Sequence, residues 1–393
     1  MKRVVVAGGG YGGLRAVEKL AGVSGVELVL VDANRFHFMQ TEVYGYIAGT
    51  KDIDEIAIDL ELWCRGFERP VRFVKERITG LDPDARLLEL ETLQLSYDYL
   101  ILATGARTKF PHFIEGLRRY GYGVKQLGRS FGFRHRFESI VKKKLEGQTD
   151  KINIAVIGAG LSGVEVAAEM GYMLKRYEKM LGERAKDIGI TLVDACETIL
   201  PGLHPFLVKS SQKRLESLGV TVKTSAFIKK VDEREIHLKE GGAIPYTFVI
   251  FTGGIVGNSD FVPERFKKSD IKQLIVTPSL NIEGYETVFA IGDVAHIVDK
   301  EGRMLPPTAQ IAEKSAEYAA KAVKNALSGE KTPPFEGRMD GMFIALGGRY
   351  GAAEIFGLHF RGMSAYYFKR LVTFVYFLGI NLRANAGYKV RRP

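Results

Sequence analysis

The chain has 393 residues, 46% hydrophobic and 26% charged, enough to bury a sizeable core and to divide into two or three domains. Its two cysteines, Cys64 and Cys196, lie far apart without a C-x-x-C spacing, which excludes a disulfide framework, a zinc site of the usual spacing and a redox dithiol; no metal is expected. The net charge is +10, but from Lys331 to Pro393 ten Lys or Arg stand against only Glu336, Asp340 and Glu354, a net of +7. That tail is aromatic and carries no nucleic-acid fold pattern, so an anionic lipid surface is the expected partner and nucleic acid is not.

The chain enters its first strand by the fourth residue, with no secretory n-region, apolar h-region or cleavage site, so export is not expected. In MKRVVVAGGGYGG an apolar run, Val4 to Ala7, meets Gly8, Gly10 and Gly13, the form of a buried parallel strand turning into a phosphate-cradling helix. In a chain this rich in glycine the bare pattern arises by chance on the order of half to one time, so its surroundings decide its meaning. A helix over Leu14 to Leu20 is followed by the strand Val26 to Val31 and by Asp32, nineteen residues beyond Gly13, where a carboxylate accepts hydrogen bonds from an adenosine ribose. His37 follows in an aromatic-rich loop and is expected to be solvated or capped, with no catalytic role. Arg86 to Gly105 reads as a hairpin whose second strand, Tyr97 to Leu102, closes on Ala103, Thr104 and Gly105, small residues that let backbone approach a cofactor. A Pro/Gly-containing connection and a basic helix over Phe131 to Leu145 lead to a linker at Gln148 to Asp150.

The chain then starts again. KINIAVIGAGLSGVEVAAEM repeats the opening, with Gly158, Gly160 and Gly163, and YTFVIFTGG, ending at Gly253 and Gly254, echoes YDYLILATG. The first glycines are 150 residues apart and the strand ends 149 apart, so two copies of one βαβ-type nucleotide module are the simplest account. In the second copy the strand Ile188 to Val193 ends at Asp194, thirty-one residues past Gly163, the insertion being a charged extension of the helix. An acid there repels a 2′-phosphate, so NADH is expected over NADPH. The first module resumes at Val276, and a buried strand ends at Gly292 and Asp293, an acid suited either to the ribityl hydroxyls of a flavin or to capping a helix. PPTAQIAEKSAEYAAKAVKNAL opens with proline and continues as an Ala-rich helix whose N-terminal amides favour negative charge at a flavin edge.

The run Leu371 to Ile380 is about half the length a membrane-spanning helix requires. As a helix it separates Lys369, Arg370 and Thr373 from Tyr367, Phe368, Leu371, Phe374, Val375 and Leu378, with Arg383, Lys389, Arg391 and Arg392 beyond. This is the pattern of a helix lying in the headgroup region, or of one packing on a core or a second copy.

With these pieces placed, the chain resembles the two-dinucleotide-binding-domain flavoproteins over nearly its whole length and, within them, the type II NADH dehydrogenases, the non-pumping NADH:quinone oxidoreductases. The resemblance rests on GGGYGG with VDANRFHF, ATG at Ala103 to Gly105, GAGLSGVEVAAE, TGGIVGN, FAIGDVAH and PPTAQIA. It implies an α/β fold of two Rossmann-like domains, one for FAD over 1–113 and 270–340 and one for NADH over 114–269, with a C-terminal membrane-associating segment over 341–393. FAD is implied at Gly8, Gly10, Gly13, Asp32, Ala103, Thr104, Gly105, Gly292, Asp293, Ala309 and Gln310. NADH is implied at Gly158, Gly160, Gly163, Glu165, Asp194, Gly253 and Gly254. Glu165 matches the glutamate that faces nicotinamide and flavin, although an acid in a first helical turn is also favoured by the helix dipole alone. Ala309 and Gln310 match the start of the A-Q-x-A-x-Q quinone signature, whose second glutamine is Lys314 here, a cation for which a charge or proton role is expected. The implied enzyme sits peripherally on the cytoplasmic face of the inner (plasma) membrane, with a membrane quinone as acceptor and a homodimer allowed. A soluble flavin reductase, a non-enzymatic flavin- or NADH-sensing protein and a sulfide:quinone relative are the alternatives, the last disfavoured by the unpaired cysteines.

Overall fold

The computed structural model describes residues 1–69, 71–148 and 151–389, with the side chains of 179, 184–186 and 389 outside that description. Residues 149 and 150 of the expected linker, and the tail residues Arg391 and Arg392, fall outside the described residues, as does the Lys389 side chain.

Eighteen elements carry the architecture. The first module opens with β1 (Lys2–Ala7), α1 (Tyr11–Leu20), β2 (Val26–Asp32), β3 (Arg72–Lys75) and β4 (Tyr99–Leu102). The second runs through β5 (Gly121–Gly123), α2 (Leu127–Leu145), β6 (Ile152–Ile157), α3 (Leu161–Leu181), β7 (Ile188–Val193), β8 (Val220–Lys223) and β9 (Phe248–Phe251). The chain returns to the first module with β10 (Tyr285–Ala290) and α4 (Ala309–Leu327), then forms β11 (Gly341–Ala345), β12 (Gly351–Ile355), β13 (Leu358–Gly362) and α5 (Met363–Lys389).

Val4, Val5, Val6 and Ala7 are wholly buried, as a central parallel strand covered on both faces requires. β1 lies between β2 and β4, and the parallel order across the sheet is β10-β4-β1-β2-β3. The second sheet has the corresponding parallel order β5-β9-β6-β7-β8. The modules differ in where the outermost strand comes from: β10 enters the first sheet after the second module is complete, whereas β5 precedes its module's glycine turn.

The repeat extends further than its sequence suggests. Each module carries a three-stranded antiparallel sheet, from 78–82, 87–90 and 94–96 in the first and from 228–231, 235–238 and 243–245 in the second. This corrects the expected hairpin over Arg86 to Gly105: Leu87–Leu90 pairs with Gln94–Ser96, while Tyr99–Leu102 leaves for the parallel sheet. Local alternation reports a strand but not its partner.

The two chain crossings between modules, Ala106–Thr108 and Ile255–Gly257, pair antiparallel with each other. Thr104 Oγ1 donates to the Asn258 carbonyl at 2.8 Å, Asn258 Nδ2 to the Thr104 carbonyl at 2.9 Å, and Asn258 N–H to the Gly105 carbonyl at 2.9 Å. The two glycine-bearing strand ends are therefore held in one frame.

The C-terminal segment is more than a surface attachment. Ile344, Leu346 and Ala352 complete the second module's core, and a Cβ at Gly347 would collide with the Ala168 carbonyl of α3. Ile380 and Ala384 of α5 enter the first module's core, and Gly387 and Gly66 allow backbone contact between α5 and the short helix Leu60–Arg65. Residues 341–389 strap both modules together. Cys64 belongs to that short helix, and burial pushes its thiol well above the ordinary range.

Candidate functional site

The two glycine turns have the same geometry. Gly8 and Gly158 adopt φ of +117° and +104°, and a Cβ on either would strike the neighbouring strand end, Ala103 in the first module and Gly253 in the second. Gly13 and Gly163 allow the helix to touch the turn, since a Cβ there would overlap the carbonyls of Gly8 and Gly158. Gly10 and Gly160 are the opposite case, with nothing within 4 Å of where a Cβ would stand. A phosphate needs this arrangement: closed packing behind, open space in front and the N-terminal amides of α1 and α3 facing it. The acids repeat as well. Asp32 accepts from the N–H groups of Gly9 and Asn34, both at 2.7 Å, and Asp194 from those of Ala159 and Cys196. Both carboxylates are thus oriented at the ends of their strands, beside the turn. Burial raises Asp32 above the usual carboxylate range despite those two donors. Both entrances therefore pass the test that a dinucleotide sets.

Between the modules lies a buried polar chamber. Glu165, at the start of the second turn of α3 rather than in the first turn that the sequence suggested, is 12% exposed and pairs with the Lys369 ammonium of α5; its Oε1 also accepts from Ala345 N–H of β11 at 2.9 Å. Burial raises its carboxyl above the usual value, opposed by Lys369 and the Ala345 amide. Glu169, one turn along α3, is raised by burial too and accepts from Gly348 N–H at 3.3 Å. From the first module comes Glu42, 3% exposed, paired with Lys51 at 2.5 Å and accepting from Thr373 Oγ1 of α5 at 3.2 Å. Tyr44 joins the two halves: its hydroxyl donates to Glu42 at 3.4 Å and its ring lies 4.6 Å from the Lys369 ammonium.

An aromatic group adjoins the chamber. Tyr11, the first residue of α1, meets His37 edge-on at 5.1 Å and Tyr376 at 5.0 Å between ring centroids. His37 is wholly buried, with Nδ1 at 2.9 Å from the Gly9 carbonyl and Nε2 at 3.1 Å from the Tyr376 hydroxyl. Burial lowers it to about 4, so it stays neutral at physiological pH. The expectation of a solvated His37 in a loop is therefore wrong: it is the middle residue of the short strand Phe36–Phe38, which pairs antiparallel with Ala57–Asp59, and its ring is held between the carbonyl of the glycine turn and Tyr376 of α5.

The remaining expected residues lie as follows. Asp293 sits in a one-turn 3-10 helix beginning at Gly292 and pairs with Lys125 of the second module at 3.1 Å. It is not the cap of α4, a position held by Thr308, whose Oγ1 accepts from Ile311 N–H. Ala309 opens α4. Gln310 Oε1 accepts from Asp340 N–H at 2.9 Å, and Lys314, one turn on, pairs with Asp340 at 2.7 Å and donates to the Arg338 carbonyl at 2.8 Å. Gln310 and Lys314 thus meet the segment leading into β11, while Glu165 meets β11 itself and α5. Cys196 is exposed beside Asp194, which raises its thiol.

Sequence reasoning grouped Lys369, Arg370 and Thr373 on one side of α5, but Arg370 is exposed and bonds Tyr366, so only the other two share an inward face. Lys369 and Thr373 point into the chamber, while Tyr367, Phe368, Leu371, Phe374, Val375 and Leu378 are all exposed. Among the described residues no helix is long and apolar enough to cross a membrane. Glu42 and Lys51 were missed; the available signal was a lone carboxylate inside the largely apolar and aromatic stretch Phe36 to Ala48.

The sequence profile of the pyridine nucleotide-disulphide oxidoreductase family matches residues 2–316. Among curated proteins, the type II NADH:quinone oxidoreductase of Staphylococcus haemolyticus is 27% identical over 387 residues, covering 94% of each chain. That of Staphylococcus aureus is 29% identical over 389 residues, with the same coverage. Among solved structures, Plasmodium falciparum NDH2 in complex with NADH has a TM-score of 0.87 at 17% identity, covering 98% of this chain and 97% of that one. The sulfide:quinone oxidoreductase of Aquifex aeolicus has a TM-score of 0.79 at 16% identity, covering 98% and 92%.

Proposed function

The chain belongs to the pyridine nucleotide-disulphide oxidoreductase family, and from that premise we infer that it is an FAD-dependent NADH:quinone oxidoreductase of the type II, non-pumping kind. FAD, when bound, supplies the redox chemistry, taking a hydride from NADH and passing two electrons to a membrane quinone. The observation that carries the reading is the matched pair of glycine turns, each open at its middle glycine and flanked by an oriented acid, with the Glu165 chamber between them. The curated relatives over nearly the whole chain bear the activity in their names.

In this reading Gly8, Gly10, Gly13 and Asp32 hold the phosphates and ribose of FAD. Ala103, Thr104, Gly105, Gly292, Asp293, Ala309 and Gln310 line the rest of that site. Gly158, Gly160, Gly163, Asp194, Gly253 and Gly254 hold NADH, and Asp194 selects it over NADPH. Glu165 positions the nicotinamide, and Lys369 keeps its charge compensated. Gln310 meets the quinone head group and Lys314 carries a charge or proton role there, with Asp340 as its counterion. The unit boundaries proposed are 1–113 with 270–340 for FAD, 114–269 for NADH and 341–393 for membrane association.

The outward face of α5, continued by exposed Phe356, Leu358 and Met363, is assigned to an anionic lipid surface on the cytoplasmic side of the membrane. The enzyme is peripheral, and a homodimer is compatible with the same face. The purified protein should be yellow and oxidise NADH with a menaquinone or ubiquinone analogue. Flavin-bound protein that reduces ferricyanide but no quinone would refute the acceptor.

A further inference from the structure

We propose that Arg214 is a positioning residue for the nicotinamide end of NADH, acting across one peptide of the C-terminal strap on the chamber of Glu165 and Glu169, an inference resting on the NADH-oxidising reading above. Arg214 stands in the last turn of the helix Pro205–Ser217, where a cation is ordinarily explained by the helix dipole. Its guanidinium instead reaches away from that helix. Nε donates to the Leu346 carbonyl at 3.0 Å and Nη2 to the Gly347 carbonyl at 3.1 Å, while the guanidinium carbon lies 4.8 Å from the centre of the Tyr350 ring. All three partners belong to the turn between β11 and β12.

Three observations tie Arg214 to the chamber. The first is a shared peptide: the Gly347 carbonyl that Arg214 bonds and the Gly348 N–H that donates to Glu169 at 3.3 Å belong to one amide group. A cation on its oxygen and a carboxylate on its nitrogen polarise that amide in the same direction, so each hydrogen bond strengthens the other. The second is need. Glu42 pairs with Lys51 and Glu165 with Lys369, whereas Glu169, 6% exposed, makes no ion pair among the described residues. Burial raises its carboxyl, the Thr50 hydroxyl, the Gly348 amide and the Lys369 charge oppose that, and Glu42 adds to it. Arg370 is exposed and bonds the Tyr366 hydroxyl. Burial lowers the Arg214 guanidinium in turn, with Glu169 among the groups that oppose it. The third is fit. Leu346 N–H closes the turn on the Tyr350 carbonyl at 2.9 Å. Gly347 and Gly348 adopt φ of +80° and +62°, and a Cβ on them would meet the Ala168 carbonyl and the Tyr172 ring of α3. The turn is therefore clamped between Arg214 and α3. The strand entering it ends at Ala345, whose N–H bonds Glu165, so the clamp sets where the carboxylate assigned to the nicotinamide stands. A planar fork spans two successive carbonyls, which a lysine ammonium does not.

The test uses the FAD-loaded protein and two ligands that give no hydride: a tetrahydro analogue of NADH, and ADP-ribose, which lacks the nicotinamide. In Arg214→Met the dissociation constant of the analogue should rise on the order of fivefold, while that of ADP-ribose stays at its wild-type value. Single-turnover flavin reduction by NADH should slow on the order of tenfold, and amide hydrogen exchange in the turn should quicken. Arg214→Lys keeps the charge but reaches one carbonyl, so its values should fall between, and it carries the test if Arg214→Met does not fold. In a Glu169→Gln background no charge remains for the peptide to compensate, and the same substitutions should cost several times less. Wild-type analogue affinity and reduction rate in the Arg214 variants would overturn the proposal. So would equal weakening of both ligands, the mark of a general loss of structure, or an equal cost with and without the Glu169 carboxylate. Wild-type FAD-loaded protein that binds neither ligand and is not reduced by NADH would instead sink the functional reading itself.

Discussion

Replacing Lys369 with methionine tests whether the Glu165–Lys369 pair holds the strap against the second module. The side chains are similar in length, so the change removes a charge with little loss of volume. Glu165 would keep the Ala345 amide as a donor but lose its counterion in a site where only 12% of its side chain is exposed. Deleting one partner of a buried pair typically costs about 3–5 kcal/mol, because the survivor is left charged and uncompensated. The effect should depend on pH with a definite sign. The Glu165 carboxyl already lies above its ordinary value of 4.5 in the folded state, so the native protein binds that proton more tightly than the unfolded chain. Stability from this group is then complete below the ordinary value and is lost as pH rises through the folded one. Removing Lys369 lifts the folded value further, so the destabilisation in Lys369→Met should grow from pH 5 towards pH 8. Urea-unfolding midpoints at both values provide the assay. The double variant Glu165→Gln with Lys369→Met should recover much of the loss, since a neutral amide needs no counterion. A loss below about 1 kcal/mol with no pH slope would refute the idea of a desolvated pair and assign the contact to the weak surface class.

Three other outcomes follow from the same geometry. Gly8→Ala forces a Cβ against the Ala103 carbonyl at a φ of +117°, so the variant should purify with little flavin, read from the visible absorbance per chain; full flavin content would contradict the close-packed turn. Asp194→Ala should narrow the ratio of kcat/KM for NADH over NADPH by on the order of tenfold, since repulsion of a 2′-phosphate and a ribose hydrogen bond are both lost; an unchanged ratio would remove Asp194 from cofactor selection. Leu371→Ser with Val375→Ser, both outward on α5, should weaken sedimentation with anionic liposomes while ferricyanide turnover persists, and unaltered sedimentation would exclude this face as the lipid contact. Point changes are preferable to truncation after Gly362, because Ala365, Ile380 and Ala384 are part of the core.

Much of the fold was legible because its signals are local. The strands Val26–Asp32 and Ile188–Val193 are apolar runs ending in an acid, and both glycine turns are contiguous in sequence. Pairing was less legible: Leu87–Leu90 alternates and Tyr99–Leu102 is a continuous apolar run, and although adjacent in the chain they belong to different sheets. The strands Gly341–Ala345, Gly351–Ile355 and Leu358–Gly362 were hidden by the glycines in and between them; Gly347 and Gly348, in the turn between the first two, let that turn approach α3 closely.

The order of residues alone determined the doubled module and the two acids, since each glycine turn and each strand-end acid is a contiguous stretch of chain. Only the tertiary structure decided which way α5 faces. Its polar side could have met water, but Lys369 and Thr373 find Glu165 and Glu42, carboxylates some two hundred and three hundred residues earlier in the chain. A buried charge is tolerated only where its partner also arrives. That meeting turned an apparently amphipathic tail into the wall of the site, its apolar side outward.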